Sequence, residues 1–203
     1  MEVTDKKSLK DEIQAISETK GNVKGELLRS YFKYIKIKEG DEGVAKVEKM
    51  TKEIGFSFKG SDIMPFHWYP AFYEPMIVLA AKEAFNWTDE DVFELGFNIV
   101  KFSLLVRTML QLFVSPEKLF NQARKYWNQN YDFGDLESAE MERGKSYTLR
   151  IKGYKIHPIA CIYNAGYMLG MTQLTTKDKL EIREVKCTAK GDDYDEFIIT
   201  YKE

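Results

Sequence analysis

Tyr147-Thr148-Leu149-Arg150-Ile151-Lys152 alternates large apolar and polar side chains one by one. Successive side chains of a strand point to opposite faces, so this spacing predicts a half-buried β-strand. Upstream, Leu136 to Glu142 reads as its hairpin partner, turning through Arg143-Gly144-Lys145. Downstream, Leu180 to Ala189 and Phe197 to Tyr201 read as two more strands, joined through Lys190-Gly191-Asp192-Asp193. Phe197, Ile199 and Tyr201 form one face of the last. Between the two pairs lies Ile156 to Thr176, the longest run without charge. It is long enough to cross a bilayer, but His157, Pro158, Asn164 and Gln173 are costly or disruptive in lipid. It reads as a buried helix. The order strand-strand-helix-strand-strand predicts a four-stranded antiparallel sheet with helices gathered on one side.

The chain before Tyr131 has helical spacing. Leu27, Leu28, Tyr31, Phe32 and Ile35 fall on one face. Gly40-Asp41-Glu42-Gly43 breaks that pattern, and a second helix carries Val44, Val47, Met50 and Ile54. Ile63 to Tyr73 has no charge and reads as an extended loop, because Pro65 and Pro70 disfavour helix just before them. A helix is expected from about Pro70, with Phe72, Met76, Leu79, Ala80 and Phe85 on it. Thr88-Asp89-Glu90-Asp91 looks like a cap with an acidic first turn. Val92 to Phe113 reads as a central apolar helix with a break near Phe97 and Asn98. Ser115-Pro116-Glu117 starts a capped helix running to about Asn130. The whole is an α+β chain. An N-terminal helical part, 1–130, packs on a sheet part, 131–203, as one domain spanning 1–203.

Composition removes many functions. Of 203 residues, 30 are Lys or Arg and 32 are Asp or Glu, a net charge of −2, so no basic surplus marks a nucleic-acid binder. Two Cys and two His leave little room for a thiolate zinc cage or a multi-histidine centre. Hydrophobic residues are 44%, enough for a sizeable core. Met1 to Lys10 is charged and is no signal peptide, so a cytoplasmic location is expected, with no membrane span.

Few residues invite chemistry. His67 sits among aromatics in the proline loop, where the ordinary role is packing and the sharper one is lining a pocket. His157 precedes Pro158 at a helix start, where it packs. Cys161 reads as a small buried hydrophobe, and Cys187 is too far along the chain to suggest a redox pair. Gly166 and Gly170 suit close approach of another element, or less readily a bound acyl chain. There is no phosphate-cradling glycine loop and no nucleophile elbow, and no catalytic or metal-ligating residue is assigned. Trp68, Tyr69 and Phe72 form an aromatic cluster of the kind that fills a core or lines an apolar pocket.

At the C-terminus, Val185-Lys186-Cys187-Thr188-Ala189-Lys190-Gly191 through Glu196-Phe197-Ile198-Ile199-Thr200-Tyr201 resembles the closing hairpin of the vinyl-4-reductase-type small-molecule-binding domains. That superfamily includes haem-dependent nitric-oxide sensor domains and vesicle-tethering TRAPP subunits. Val23-Lys24-Gly25 and Trp68-Tyr69-Pro70 resemble a related bacterial family of uncharacterised proteins. The resemblance implies a helical subdomain closing over the sheet, with a ligand cavity between. Two departures stand out. Asp195 occupies the place of a second hairpin cysteine. The Tyr-x-Ser-x-Arg motif with which the haem sensors grip propionates is Tyr147-Thr148-Leu149-Arg150 here. Neither histidine matches a proximal ligand, and this argues against haem.

The expected function is a non-enzymatic sensor or binding domain for a small apolar ligand. Trp68, Tyr69 and Phe72 would supply surface, and His67 or Tyr163 would orient a polar group. The alternative is a protein–protein adaptor, assembling as a symmetric homodimer. A haem-bound gas sensor comes third.

Overall fold

The computed structural model describes residues 8–102 and 115–202. Elements are numbered below among those residues.

The C-terminal half is the sheet that the alternation predicts. Strands β3 (Asp135–Glu142), β4 (Ser146–Lys152), β5 (Leu180–Lys186) and β6 (Tyr194–Tyr201) pair antiparallel in the order β3-β4-β6-β5. Tyr147 lies opposite Ile199, and Leu149 opposite Phe197, all four buried on the inner face. On the outer face Arg150 lies opposite Glu196 and pairs with it. The alternation thus sorts apolar residues inward and ion pairs outward. Between the two hairpins runs the uncharged helix α7 (Pro158–Gln173), with Pro158 at its first turn. Among the described residues no helix is long and apolar enough to cross a membrane.

The N-terminal part begins with α1 (Leu9–Ile16), capped by Ser8. Strand β1 (Asn22–Lys24) leads into α2 (Gly25–Glu53), which kinks at Gly40, where φ is 76°. The expected break is therefore present, but the helix resumes at once. Helix α3 is Tyr73–Phe85 and α4 is Asp89–Ile99, the latter opened by a Thr88–Asp91 capping box. The apolar stretch expected to continue to Phe113 passes outside the described residues after 102. The single helix expected from Ser115 to Asn130 is two, α5 (Pro116–Asn121) and α6 (Ala123–Asn130), separated at Gln122.

The helix expected from Pro70 starts three residues later. Trp68–Pro70 forms a short strand, β2, paired with β1, with Pro70 at the end of the pairing. The loop before it has a second task. Gly25 N–H donates to His67 O (2.9 Å) and Glu26 N–H to Pro65 O (2.8 Å). Helix α2 has no side-chain cap, so these carbonyls satisfy its first amides.

Helices α4 and α7 meet backbone to backbone. A Cβ on Gly166 would lie 2.1 Å from Phe93 O, and one on Gly96 would lie 2.1 Å from Tyr163 O. Gly170 approaches Phe97 O in the same way. The glycine pattern of α7 is a helix-packing surface, and no acyl chain uses that space.

Candidate functional site

The opposite face of α7 does not close. Asn164, Tyr167, Met168, Met171 and Thr172 recur at three- and four-residue spacing and form one wall of a cavity. The sheet forms a second wall through Leu136, Tyr147, Leu149 and Ile199. Helices α5 and α6 bring Leu119, Phe120, Ala123 and Trp127, and Leu27 of α2 completes the lining with Tyr131. The room it leaves for a water-sized sphere is about 80 Å³, and the cavity is partly open to solvent. No charged side chain is among the described lining residues.

The polar groups there differ in how well they are occupied. The Tyr147 hydroxyl is 3.0 Å from the Tyr201 hydroxyl and donates to Glu117 Oε1 at 3.2 Å. The Tyr131 hydroxyl donates to Glu74 Oε1 at 3.0 Å, as does that of Tyr31. The Tyr167 hydroxyl has no hydrogen-bond partner among the described residues, and burial pushes its pKa up. Asn164 is 5% exposed and its Nδ2 makes no hydrogen bond of normal geometry. It lies close enough to Tyr154 to favour that hydroxyl's ionised form slightly, against the larger upward push of burial. A buried amide held by so poor a contact loses part of the roughly 1–3 kcal/mol that a well-made partner would supply.

Behind Tyr131 lies a group that sequence reasoning missed. Glu74, on the first turn of α3, is fully buried. Burial raises its pKa to about 8, against the smaller lowering effect of the Tyr131 and Tyr31 hydroxyls. Its Oε2 has no acceptor or donor partner, which suits a carboxyl whose proton rests on that oxygen. Glu74 followed by Pro75 offered one faint signal: an acid directly before the uncharged run Pro75 to Ala81.

The residues expected to bind ligand lie elsewhere. His67 and Trp68 are exposed in the proline loop, where Lys24 Nζ sits 3.8 Å above the Trp68 ring. The Tyr69 hydroxyl accepts from Met64 N–H at 2.8 Å. Phe72 is buried against Phe56 and Tyr73. Tyr163 is buried, packs edge-on against Tyr31 and shares a 3.1 Å hydrogen bond with the Tyr154 hydroxyl. The cavity lining includes none of these five; Tyr163 is the neighbour of Asn164, which does line it. His157 caps α7, its Nδ1 accepting from Ile159 N–H at 3.1 Å, and desolvation lowers its pKa. So neither histidine reaches the cavity. Among the described lining residues, donors a metal could take include the Tyr167 hydroxyl and the thioethers of Met168 and Met171. Haem iron accepts Tyr oxygen and Met sulfur as well as His nitrogen, so the donor chemistry of these residues suits haem iron without a histidine ligand.

No family profile matches the sequence, and no curated protein is close enough in sequence to count as a relative. Solved structures do match in fold. An H-NOX protein from S. oneidensis in the Fe(II)NO ligation state aligns at a TM-score of 0.69 and 15% identity, covering 89% of this chain and 99% of that one. An oxygen-binding H-NOX domain related to soluble guanylate cyclases aligns at 0.65 and 13%, covering 89% and 95%. A structure described as probing heme distortion in the H-NOX family aligns at 0.64 and 14%, covering 89% and 95%. These structures support the haem-NO-binding part of the sequence resemblance; they lend nothing to its vinyl-4-reductase and TRAPP parts. They also overturn the expectation against haem. That expectation rested on a missing motif and a missing histidine, whereas the fold is the one in which heme and iron ligation states are described. The chain has the α+β fold of the H-NOX domains.

Proposed function

We propose that this chain is a sensory ligand-binding domain whose cavity, between α7 and the sheet, holds a flat and largely apolar group, with haem the first to test. The observation that carries the reading is the open face of α7. Five residues at helical spacing border a cavity between that helix and the sheet. Pockets with apolar walls and a few placed polar groups are the usual form of small-molecule sites. A concave, apolar-walled cavity favours this reading over an adaptor, which would need a flat apolar patch.

Haem bound there would supply an iron atom able to take a small gas ligand. The chain's own residues do the rest. Among the described lining residues, Tyr167, Met168 and Met171 are candidate iron donors. Asn164 Nδ2 is a hydrogen-bond donor for a polar atom in the cavity. Leu149, Ile199 and Phe120 exclude water from it. With no cation among the described lining residues, carboxylate groups of such a ligand belong at the mouth, where water solvates them.

Titration of the full chain with hemin tests this. The expected result is a Soret absorption that saturates at one equivalent and moves in position in Tyr167→Phe or Met168→Leu. A Soret signal that rises without saturation, as with free hemin, would defeat the haem reading. A solvatochromic apolar dye separates the two levels of the proposal. If the dye binds and hemin does not, the cavity is a ligand site for another molecule; if neither binds, the sensory reading fails.

A further inference from the structure

Behind the cavity wall, phenols from four parts of the chain gather around one buried acid. Glu74 is fully buried on the first turn of α3. Tyr31 of α2, Tyr131 just after α6, Tyr154 just after β4, and Tyr163 and Tyr167 of α7 all feel its charge. The Tyr31 and Tyr131 hydroxyls both donate to Oε1, each at 3.0 Å, while the buried Oε2 has no partner among the described residues. Glu12 of α1 and Lys82 of α3 act on His157 at the start of α7, and neither is among the influences on Glu74. The acid therefore sits among neutral groups, with no described cation to hold it ionised.

Tyr131 joins this acid to the cavity. It lines the cavity, and its hydroxyl is one of the two on Glu74. Its ring is clamped. It stacks on Trp127 with centroids 4.2 Å apart, meets Tyr154 edge-on at 5.9 Å, and its N–H donates to Trp127 O at 2.9 Å. A ligand beside Tyr131 therefore acts on what surrounds the ring and its hydroxyl, and does not swing the ring away.

We infer that filling the cavity draws a proton from solvent onto Glu74, so that this domain takes up its apolar ligand and a proton together and releases both as pH rises. The inference rests on the cavity being a ligand site. Burial disfavours the carboxylate, while the two phenols and the first-turn position, at the positive end of the helix dipole, favour it. The balance leaves the carboxyl titrating at about 8. A ligand beside Tyr131 excludes solvent and deepens the desolvation. A ligand acceptor that draws the Tyr131 hydroxyl takes a donor from Oε1. Both act against the carboxylate, so both raise its pKa. Each proton taken up forms one O–H bond on Oε2 and removes one negative charge from the core. Affinity is then greatest below pH 8 and falls above it, by about tenfold for each pKa unit that the ligand adds. The five phenols do not compete for this role, because burial pushes all of them upward from 10 and they stay neutral through that range.

The full chain is titrated with Nile red, an uncharged solvatochromic dye, between pH 6 and pH 9.5. Fluorescence gives the affinity, and calorimetry in two buffers of different ionisation enthalpy counts the protons. Affinity should be level at the acid end and fall by roughly five- to tenfold by pH 9.5, with about half a proton taken up per dye near pH 8.5, for a shift of one unit. Glu74→Gln should take up no proton with the dye and show a level affinity profile. Should Glu74→Gln fail to fold by circular dichroism, Tyr131→Phe decides. It removes a donor from the carboxylate, so the fall in affinity should move to higher pH, and a fall at the unaltered pH overturns the inference. Dye binding that is level across the whole range overturns it too, as does proton uptake that persists in Glu74→Gln; both leave the cavity reading standing. No dye binding at any pH overturns the cavity reading and the inference with it.

Discussion

Two faces of α7 are made from the same uncharged sequence and do opposite things. One face, Gly166 and Gly170, meets α4 so closely that no side chain fits between the backbones. The other, Tyr167, Met168 and Met171, carries large side chains and leaves a cavity before the sheet. Small residues bring backbones together and leave no room for a ligand. Large residues hold the sheet away, and their tips need not meet. The difference teaches that bulk on a buried helix face does not guarantee filling. Close approach on the glycine side fixes where α7 sits, and the sheet side inherits whatever space is left.

Closing the difference from the glycine side should have the largest effect. Gly166→Leu places its Cβ about where Phe93 O already is, 2.1 Å away, and the backbone of α4 cannot turn aside as a side chain would. We expect loss of most of the roughly 5–15 kcal/mol that holds a domain of this kind folded. A chemical denaturation curve measures it, and a midpoint near that of the unaltered chain would show that α4 and α7 are not locked together.

Next in size is the pH dependence imposed by Glu74, which supports the cavity wall through Tyr131. Folded, its carboxyl holds its proton up to about pH 8, against an ordinary value of 4.5. The folded state therefore binds more protons between these values. Its contribution to stability is complete below about pH 4.5 and is lost as pH rises through 8, a difference on the order of a few kcal/mol. Glu74→Gln cannot ionise and should flatten that part of the profile, becoming the more stable form above pH 8. Parallel profiles for the two proteins would remove Glu74 as the cause.

How much of this was legible in the sequence follows the same contrast. The sheet was readable because period-two alternation in Tyr147 to Lys152 reports two different environments on two faces. Helix α7 was readable as buried because it carries no charge. Its cavity was not, since Tyr167, Met168 and Met171 at helical spacing look the same whether or not atoms stand opposite them. The proline loop misled in the other direction. Its aromatic cluster suggested a pocket, but its backbone carbonyls serve α2 as a cap, with Phe66 75% exposed and Trp68 43% exposed. Glu74 meets Tyr31 and Tyr131 through contacts between distant segments, to which local spacing is blind.

Filling the open face should change binding far more than stability. Met168→Trp points extra bulk into existing space, unlike Gly166→Leu, so we expect a stability change within about 1–3 kcal/mol. Hemin or dye affinity should fall at least tenfold, read from the titrations described above. A collapse of stability instead would mean that the α7–sheet gap is already packed, and the two faces would then be alike.

The smallest effect is expected from the proline loop, and its smallness is informative. Trp68 and His67 share an uncharged, aromatic neighbourhood with the cavity residues in composition alone. In place they differ, because Trp68 contacts the Lys24 ammonium and solvent and borders no enclosed space. Trp68→Ala should therefore cost no more than the about 0.5 kcal/mol typical of surface positions plus up to about 1 kcal/mol for the cation–π contact. Hemin and dye affinity should stay within twofold. Were Trp68→Ala to weaken binding as strongly as Met168→Trp, the ligand would have to reach across to β2. The site would then include the aromatic loop, and the open face of α7 would be only one side of a larger chamber.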